Sequence, residues 1–235
     1  MWRDIVKIVF DPNGDCDVRF VLKYVAKVMA TMAGLRYSRR MINFSKGIFS
    51  KEEQIMVVSN PIVRGFWPDP SVCRANGKFY LACSSFQYFP GVPIFESDDL
   101  VNWKLIGHCL TRKTQVNLHK VNSSGGVFAP TLRFHDGRFY MVTNNNTFQK
   151  NFYVYTDDIY GEWSDPIFVD QDGIDPSLFF EDGKVYFTSN GNGPDGKGCI
   201  TQCEINVETG EKLTPTKPVW SGNGGRYLES PQIGR

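Results

Sequence analysis

From about Val57 onward the apolar residues fall in short runs, each closed by a turn rich in Gly, Asn or Asp. That texture predicts an all-β chain of short strands and tight hairpins. Phe79-Tyr80-Leu81-Ala82-Cys83, Phe139-Tyr140-Met141-Val142 and Val185-Tyr186-Phe187-Thr188 read as second strands of hairpins. The turns ahead of them, Asn76-Gly77, Asp136-Gly137 and Asp182-Gly183, are residue pairs that tolerate the positive φ a tight hairpin requires. A different period governs the start of the chain. Between Arg19 and Arg40 the residues Val21, Val25, Val28, Met29, Met32 and Leu35 recur at helical spacing. Lys23, Lys27, Arg36, Arg39 and Arg40 make the other face basic, a pattern shared with membrane-surface or targeting helices, with a plain packed or dangling helix as the preferred reading. Ahead of it, Ile5 to Phe10 predicts a short strand and Asp11-Pro12-Asn13-Gly14 a turn. Asp11, Asn13 and Asp15 imitate the start of a calcium loop, but Cys16 and Leu22 stand where its Gly and Glu belong.

The β region repeats. Phe66-Trp67-Pro68-Asp69-Pro70-Ser71-Val72 and Gly173-Ile174-Asp175-Pro176-Ser177-Leu178 share an Asp-Pro-Ser core, and Phe128-Ala129-Pro130-Thr131-Leu132 keeps the Pro with Ala129 in place of the acid. Counting from Asp69, Ala129 and Asp175, a Gly lies eight residues on (Gly77, Gly137, Gly183) and a Tyr eleven on (Tyr80, Tyr140, Tyr186). An outer element follows, Asp98-Asp99-Leu100-Val101-Asn102-Trp103 and then Asp157-Asp158-Ile159-Tyr160-Gly161-Glu162-Trp163, decaying to Asn206-Val207-Glu208-Thr209-Gly210. Steps of 60 and 46 residues separate the three copies, and a further 54 lead to Glu229. Four strands in such a period make a propeller blade. The sequence therefore predicts an incomplete propeller, about three blades and the start of a fourth, over 56–235, preceded by a separate extension over 1–55.

Charge supports that division. Residues 1–55 carry ten Lys/Arg against six Asp/Glu, whereas 56–235 carry sixteen against nineteen. A net charge of +1 over 235 residues argues against a nucleic-acid partner. No convincing secretory signal and no long uncharged apolar run occur, so the expectation is a cytoplasmic protein without a membrane span. Of the six cysteines, Cys199 and Cys203 are spaced so that they could pair, but none forms a CxxC, and reduced buried thiols are the preferred reading. His108, His119 and His135 lack metal-ligand spacing, and neither a metal nor another cofactor is expected. The Gly-rich run 190–198 lacks the P-loop pattern and reads as a hairpin tip. Asn122 and Asn145 begin glycosylation sequons, which matter only in a secreted chain.

In a propeller the first strand of each blade lines a central channel, so equivalent positions converge on one rim. Asp69, Asp175 and Glu229 occupy equivalent or near-equivalent positions. Like charges gathered there raise one another's pKa, and clustered carboxylates are what acid/base cleavage of a glycosidic bond requires. Asp-Pro-Ser is also an ordinary turn or capping motif, so residues alone leave both readings open.

Longer motifs carry a resemblance. Gly65-Phe66-Trp67-Pro68-Asp69-Pro70-Ser71, Ser84-Ser85-Phe86-Gln87-Tyr88-Phe89-Pro90-Gly91-Val92-Pro93-Ile94, Asp99-Leu100-Val101-Asn102-Trp103 and Gly173-Ile174-Asp175-Pro176-Ser177-Leu178-Phe179-Phe180 resemble glycoside hydrolase family 43, in its β-xylosidase and α-L-arabinofuranosidase branch, over about 57–233. The resemblance implies a five-bladed propeller, a xylo- or arabino-oligosaccharide substrate and inversion of the anomeric centre. It implies Asp69 as general base, Asp175 as the carboxylate that tunes and orients the acid, and Glu229 as general acid. Phe86 would form an aromatic wall of the sugar pocket, and Phe128 stands where the branch has Trp. The acid motif reads Glu229-Ser230-Pro231-Gln232 in place of Glu-Gly-Pro-His, and the family's later sugar-contacting Arg is expected beyond residue 235, with the remaining blades. These departures leave a non-catalytic carbohydrate-binding propeller as the alternative. A fructosidase-type propeller is disfavoured, because its Asn-Asp-Pro-Asn-Gly motif is absent from the first blade.

Overall fold

The structure, a computed structural model, describes residues 9–10, 16–17, 61–147, 150–222 and 228–233. The chain divides into two units, 1–62 and 63–235. In the first, β1 (Val9–Phe10) pairs antiparallel with β2 (Cys16–Asp17); the turn expected at 11–14 lies outside the described residues. The helix expected over 19–40 lies outside the described residues.

The second unit contains three four-stranded antiparallel sheets and, among the described residues, no helix. Sheet one is β3 (Ser71–Ala75), β4 (Lys78–Ala82), β5 (Gly91–Ser97) and β6 (Lys104–Leu110). Sheet two is β7 (Thr131–His135), β8 (Arg138–Asn145), β9 (Lys150–Thr156) and β10 (Ile167–Val169). Sheet three is β11 (Ile174–Glu181), β12 (Lys184–Asn192), β13 (Gly198–Ile205) and β14 (Lys217–Trp220). Every strand pairs with its neighbour in sequence. The first hairpin of each sheet turns on two positive-φ residues, Asn76 and Gly77, Asp136 and Gly137, Asp182 and Gly183. Two such residues in succession match the right-handed twist of the flanking strands.

First strands meet first strands: β3 lies beside β7, and β7 beside β11. Burial explains the stacking. In β8, Phe139 and Met141 enter one core with Tyr80, Ala82, Val92 and Ile94 of sheet one. Their alternates Tyr140 and Val142 enter a second core with Leu178, Val185 and Phe187 of sheet three. Side chains on a strand alternate between faces, so both faces of β8 are buried. This is why the middle of β8, Phe139-Tyr140-Met141-Val142, reads as an unbroken apolar run. The far face of sheet one is covered by its own lead-in, where Trp67 meets Phe95 edge-on at 4.9 Å beside Leu81 and Trp103.

The Asp-rich outer turns have a structural use. Asp99 Oδ1 accepts the Val101 and Asn102 amide N–H groups at 2.8 and 2.7 Å, and these bonds hold its carboxyl well below the usual carboxylate range. The five described cysteines other than Cys16 are free thiols, and Cys83, Cys109, Cys199 and Cys203 are buried.

Gly173, where the chain enters β11, has φ +102°, and a Cβ built there would lie 1.4 Å from the Asn190 carbonyl oxygen. The replacement Gly173→Ala is expected to lower unfolding free energy by about 3 kcal/mol or more, from backbone strain plus collision. Gly137→Ala, with φ +82° but nothing within 4 Å, should cost only about 1 kcal/mol. Urea unfolding of both variants checks the contrast; equal losses would show that the close approach is unimportant.

Candidate active site

Each first strand begins with an irregularity that aims a side chain. In sheet three the β11–β12 register runs from Ile174↔Asn190 to Ser177↔Thr188, so Asp175 and Pro176 together face one residue. This is a β-bulge, and Pro176 suits it because it has no N–H to place in the ladder. Sheet one repeats the pattern: the Ser84 N–H donates to the Pro68 carbonyl at 3.0 Å, and the ladder resumes at Ser71↔Ala82. In sheet two the Phe128 N–H donates to the Asn144 carbonyl at 3.1 Å, and pairing resumes at Thr131↔Val142. Asp69 and Asp175 both have φ 53°, a left-handed conformation that costs a non-glycine residue energy and turns its side chain away from the course of the strand.

The two aspartates line one cavity of about 360 Å³, together with Ser71, Thr131, Ser230 and Gln232. Asp69 is exposed, and its Oδ2 accepts a short hydrogen bond from the buried Ser84 hydroxyl. Asp175 is only 9% exposed. Its Oδ2 accepts from the Ser230 N–H at 3.0 Å and the Ser230 hydroxyl at 3.3 Å. Burial pushes the Asp175 carboxyl above its ordinary value, the Ser230 bonds pull it back, and the charge of Asp69 adds to the rise.

Glu229 is exposed and adjoins Ser230, but it is not among the residues lining the cavity. Ser230, at φ 52° and followed by Pro231, is the residue in register with Asp69-Pro70 and Asp175-Pro176. Glu229 stands one position earlier. Phe86 and Phe128 pack edge-on at 5.7 Å, and Phe66, 68% exposed, stacks on Phe86 at 6.0 Å. This aromatic group is held by the Phe86–Val127 bridge, in which each N–H donates to the other's carbonyl, at 2.8 and 3.0 Å. It too lies outside the cavity lining.

Sequence reasoning did not find Ser84, Thr131, Arg133 or Gln232. Aligning the repeats on Pro rather than on the acid brings out Ser230. The same alignment sets Arg133 against Cys73 and Phe179, a cation where the other first strands carry apolar side chains.

Successive four-stranded antiparallel sheets whose first strands lie side by side are the arrangement of the propeller class of protein. The chain belongs to glycosyl hydrolases family 43, whose model matches residues 58–235. It is 46% identical over 178 residues to a non-reducing end α-L-arabinofuranosidase of Bacteroides ovatus, covering 74% of this chain and 33% of that one. It is 38% identical to a xylan 1,3-β-xylosidase of Vibrio, with 75% and 35% covered. Among solved structures it resembles a xylan β-1,4-xylosidase of Bacillus halodurans at TM-score 0.67 and 35% identity, covering 75% of this chain and 36% of that one. A family 43 protein from a capybara gut metagenome matches at TM-score 0.70 and 36% identity, with 74% and 36% covered. The chain thus spans about a third of the length of the curated relatives it matches.

The raised pKa of Asp175 has a stability consequence. A carboxyl whose folded pKa lies above its unfolded value favours folding in its protonated form. Its contribution is full below the unfolded pKa, about 3.9 for Asp, and is lost as pH rises through the folded value. Asp175→Asn keeps an acceptor for Ser230 and removes the buried charge. It is expected to raise stability at pH 7 and leave it unchanged at pH 3, as read by urea midpoints; a variant less stable at pH 7 would contradict the burial argument.

Proposed function

We propose that this chain is the catalytic-propeller portion of an inverting glycoside hydrolase that removes xylosyl or arabinofuranosyl residues from oligosaccharides. In this reading the three sheets are the first blades of a five-bladed ring. Asp69 acts as general base on water, Glu229 as general acid, and Asp175 as the group that tunes and orients that acid. The observation that carries the reading is the placement of Asp69 and Asp175, far apart in sequence, on matching left-handed bulges around one cavity. The names of the relatives, an arabinofuranosidase and a xylosidase among them, support the substrate class.

The chemistry follows from the residues. An inverting pair needs separated carboxyl groups, with a water between the base and the sugar. Asp69 is exposed and steadied by Ser84, which suits a base that must take up a proton from water. Asp175 is bonded to the backbone of Ser230, the residue after Glu229, so the buried carboxyl and the acid share one short stretch of backbone. The aromatic group of Phe66, Phe86 and Phe128 offers flat apolar faces of the kind that pack against sugar rings.

One observation favours the second reading, a propeller that binds carbohydrate without cleaving it: Glu229 is exposed and outside the cavity lining. Turnover of aryl β-D-xylosides and α-L-arabinofuranosides, followed by proton NMR, separates the two. The protein carrying this chain is expected to release the inverted sugar first, and Asp69→Asn to lower kcat by about 10²–10⁴-fold. A product released first with retained configuration would sink the inverting assignment. Calorimetric binding of xylo-oligosaccharide without turnover would favour the second reading.

A further inference from the structure

We propose that Arg133 is a positioning residue that, through Gln232, clamps segment 228–233 against the second and third sheets and thereby fixes the Ser230 N–H on Asp175. The proposal rests on the reading of Asp175 as a tuning group. It goes beyond that reading by naming the device that holds the tuner's partner in place.

Arg133 lies on β7, and its hydrogen bonds run to neutral acceptors in three different places. Nε donates to the Leu178 carbonyl on β11 at 3.1 Å, Nη1 to its neighbour's carbonyl, Leu132, at 3.4 Å, and Nη2 to Gln232 Oε1. A planar guanidinium offers five donors in a rigid fork, so one side chain can bind two elements in fixed mutual geometry, which an ammonium cannot. Gln232 completes the clamp, because its Nε2 donates to Thr131 Oγ1 at 3.0 Å. Gln232 is exposed, so these two bonds rather than packing set its position. Two residues earlier stands Ser230, whose N–H and hydroxyl reach Asp175. Asp69 is the charge that acts on Asp175 across the cavity, and burial pushes the Arg133 guanidinium down from its ordinary value, with Cys73 opposing. Arg133 thus acts on Asp175 through Gln232 and the backbone rather than by direct pairing.

The test uses the isotopically labelled chain and two NMR readouts, hydrogen exchange of the Ser230 amide and the pH titration of the Asp175 side-chain carboxyl carbon. Gln232→Ala and Arg133→Met are expected to speed Ser230 exchange about tenfold, the scale of one lost hydrogen bond. Both should also move the Asp175 titration to higher pH, because the bonds that favour its carboxylate are lost. Arg133→Lys should behave like Arg133→Met, and Gln232→Glu, which keeps an acceptor for Arg133 and lets the Thr131 hydroxyl donate in place of Gln232 Nε2, should retain slow exchange. Urea midpoints separate a local release from global loosening. If Arg133→Met does not fold, the two Gln232 variants decide. Unchanged exchange and titration in Gln232→Ala, or full rescue by Arg133→Lys, would overturn the proposal. A protein that shows the expected NMR changes but cleaves no glycoside would keep the clamp and lose the catalytic reading.

Discussion

A proline cannot continue a ladder, and three sheets of this protein start from that fact. Pro70 and Pro130 stand immediately before β3 and β7 and Pro176 lies at the bulge near the start of β11, and each removes one N–H close to the point where pairing should begin. The ladder answers with a bulge, and in two of the three the residue before proline, Asp69 and Asp175, takes a left-handed conformation that proline itself does not favour and the bulge must hold. Everything at the rim depends on that local compromise. The bulge sets residues 69 and 175 out of the regular ladder, and both line one cavity.

The rim holds because the sheets are tied to one another near the same level. The Leu132 N–H donates to the Ser71 hydroxyl at 3.0 Å, joining sheets one and two. Arg133 reaches from sheet two to the Leu178 carbonyl of sheet three. Lower down, two apolar cores fill the spaces on either face of β8. At the outer edge Tyr160 of the second repeat donates a hydrogen bond to Glu96 of the first, which also pairs with Lys78 at 3.0 Å. Polar ties at the rim and apolar packing beneath it divide the work: the core gives cohesion, and the hydrogen bonds give register between sheets.

Much of this was legible in the residues, and what was not has a common physical reason. Hairpin turns were legible because a positive φ at two successive positions restricts the choice to Gly, Asn and Asp, as at Asp136-Gly137. Asp69 and Asp175 were legible because a strained pre-proline position leaves a repeated signature. Glu229, read as equivalent or near-equivalent to the two aspartates, stands one place before Ser230, the residue that shares their positive φ ahead of a proline. Ser84 and Arg133 were invisible for another reason. Their partners, Asp69 and Gln232, lie 15 and 99 residues away, and no local period encodes a contact that exists only after sheets stack. The aromatic pair of Phe86 and Phe128 was noted residue by residue, whereas its packing with Phe66 depends on the Phe86–Val127 bridge.

The strict pairing of each strand with its sequence neighbour bears on how such a protein is made. A sheet that borrows no strand from elsewhere contains only short-range contacts, and short-range contacts close quickly. During synthesis the first sheet can therefore form while the second is still being translated. What arrives late is the lateral stitching, since the Ser71 hydroxyl waits sixty-one residues for its Leu132 partner. Until then the apolar face of the newest sheet stands open on the ribosome, and each sheet serves in turn as the template on which the next one docks.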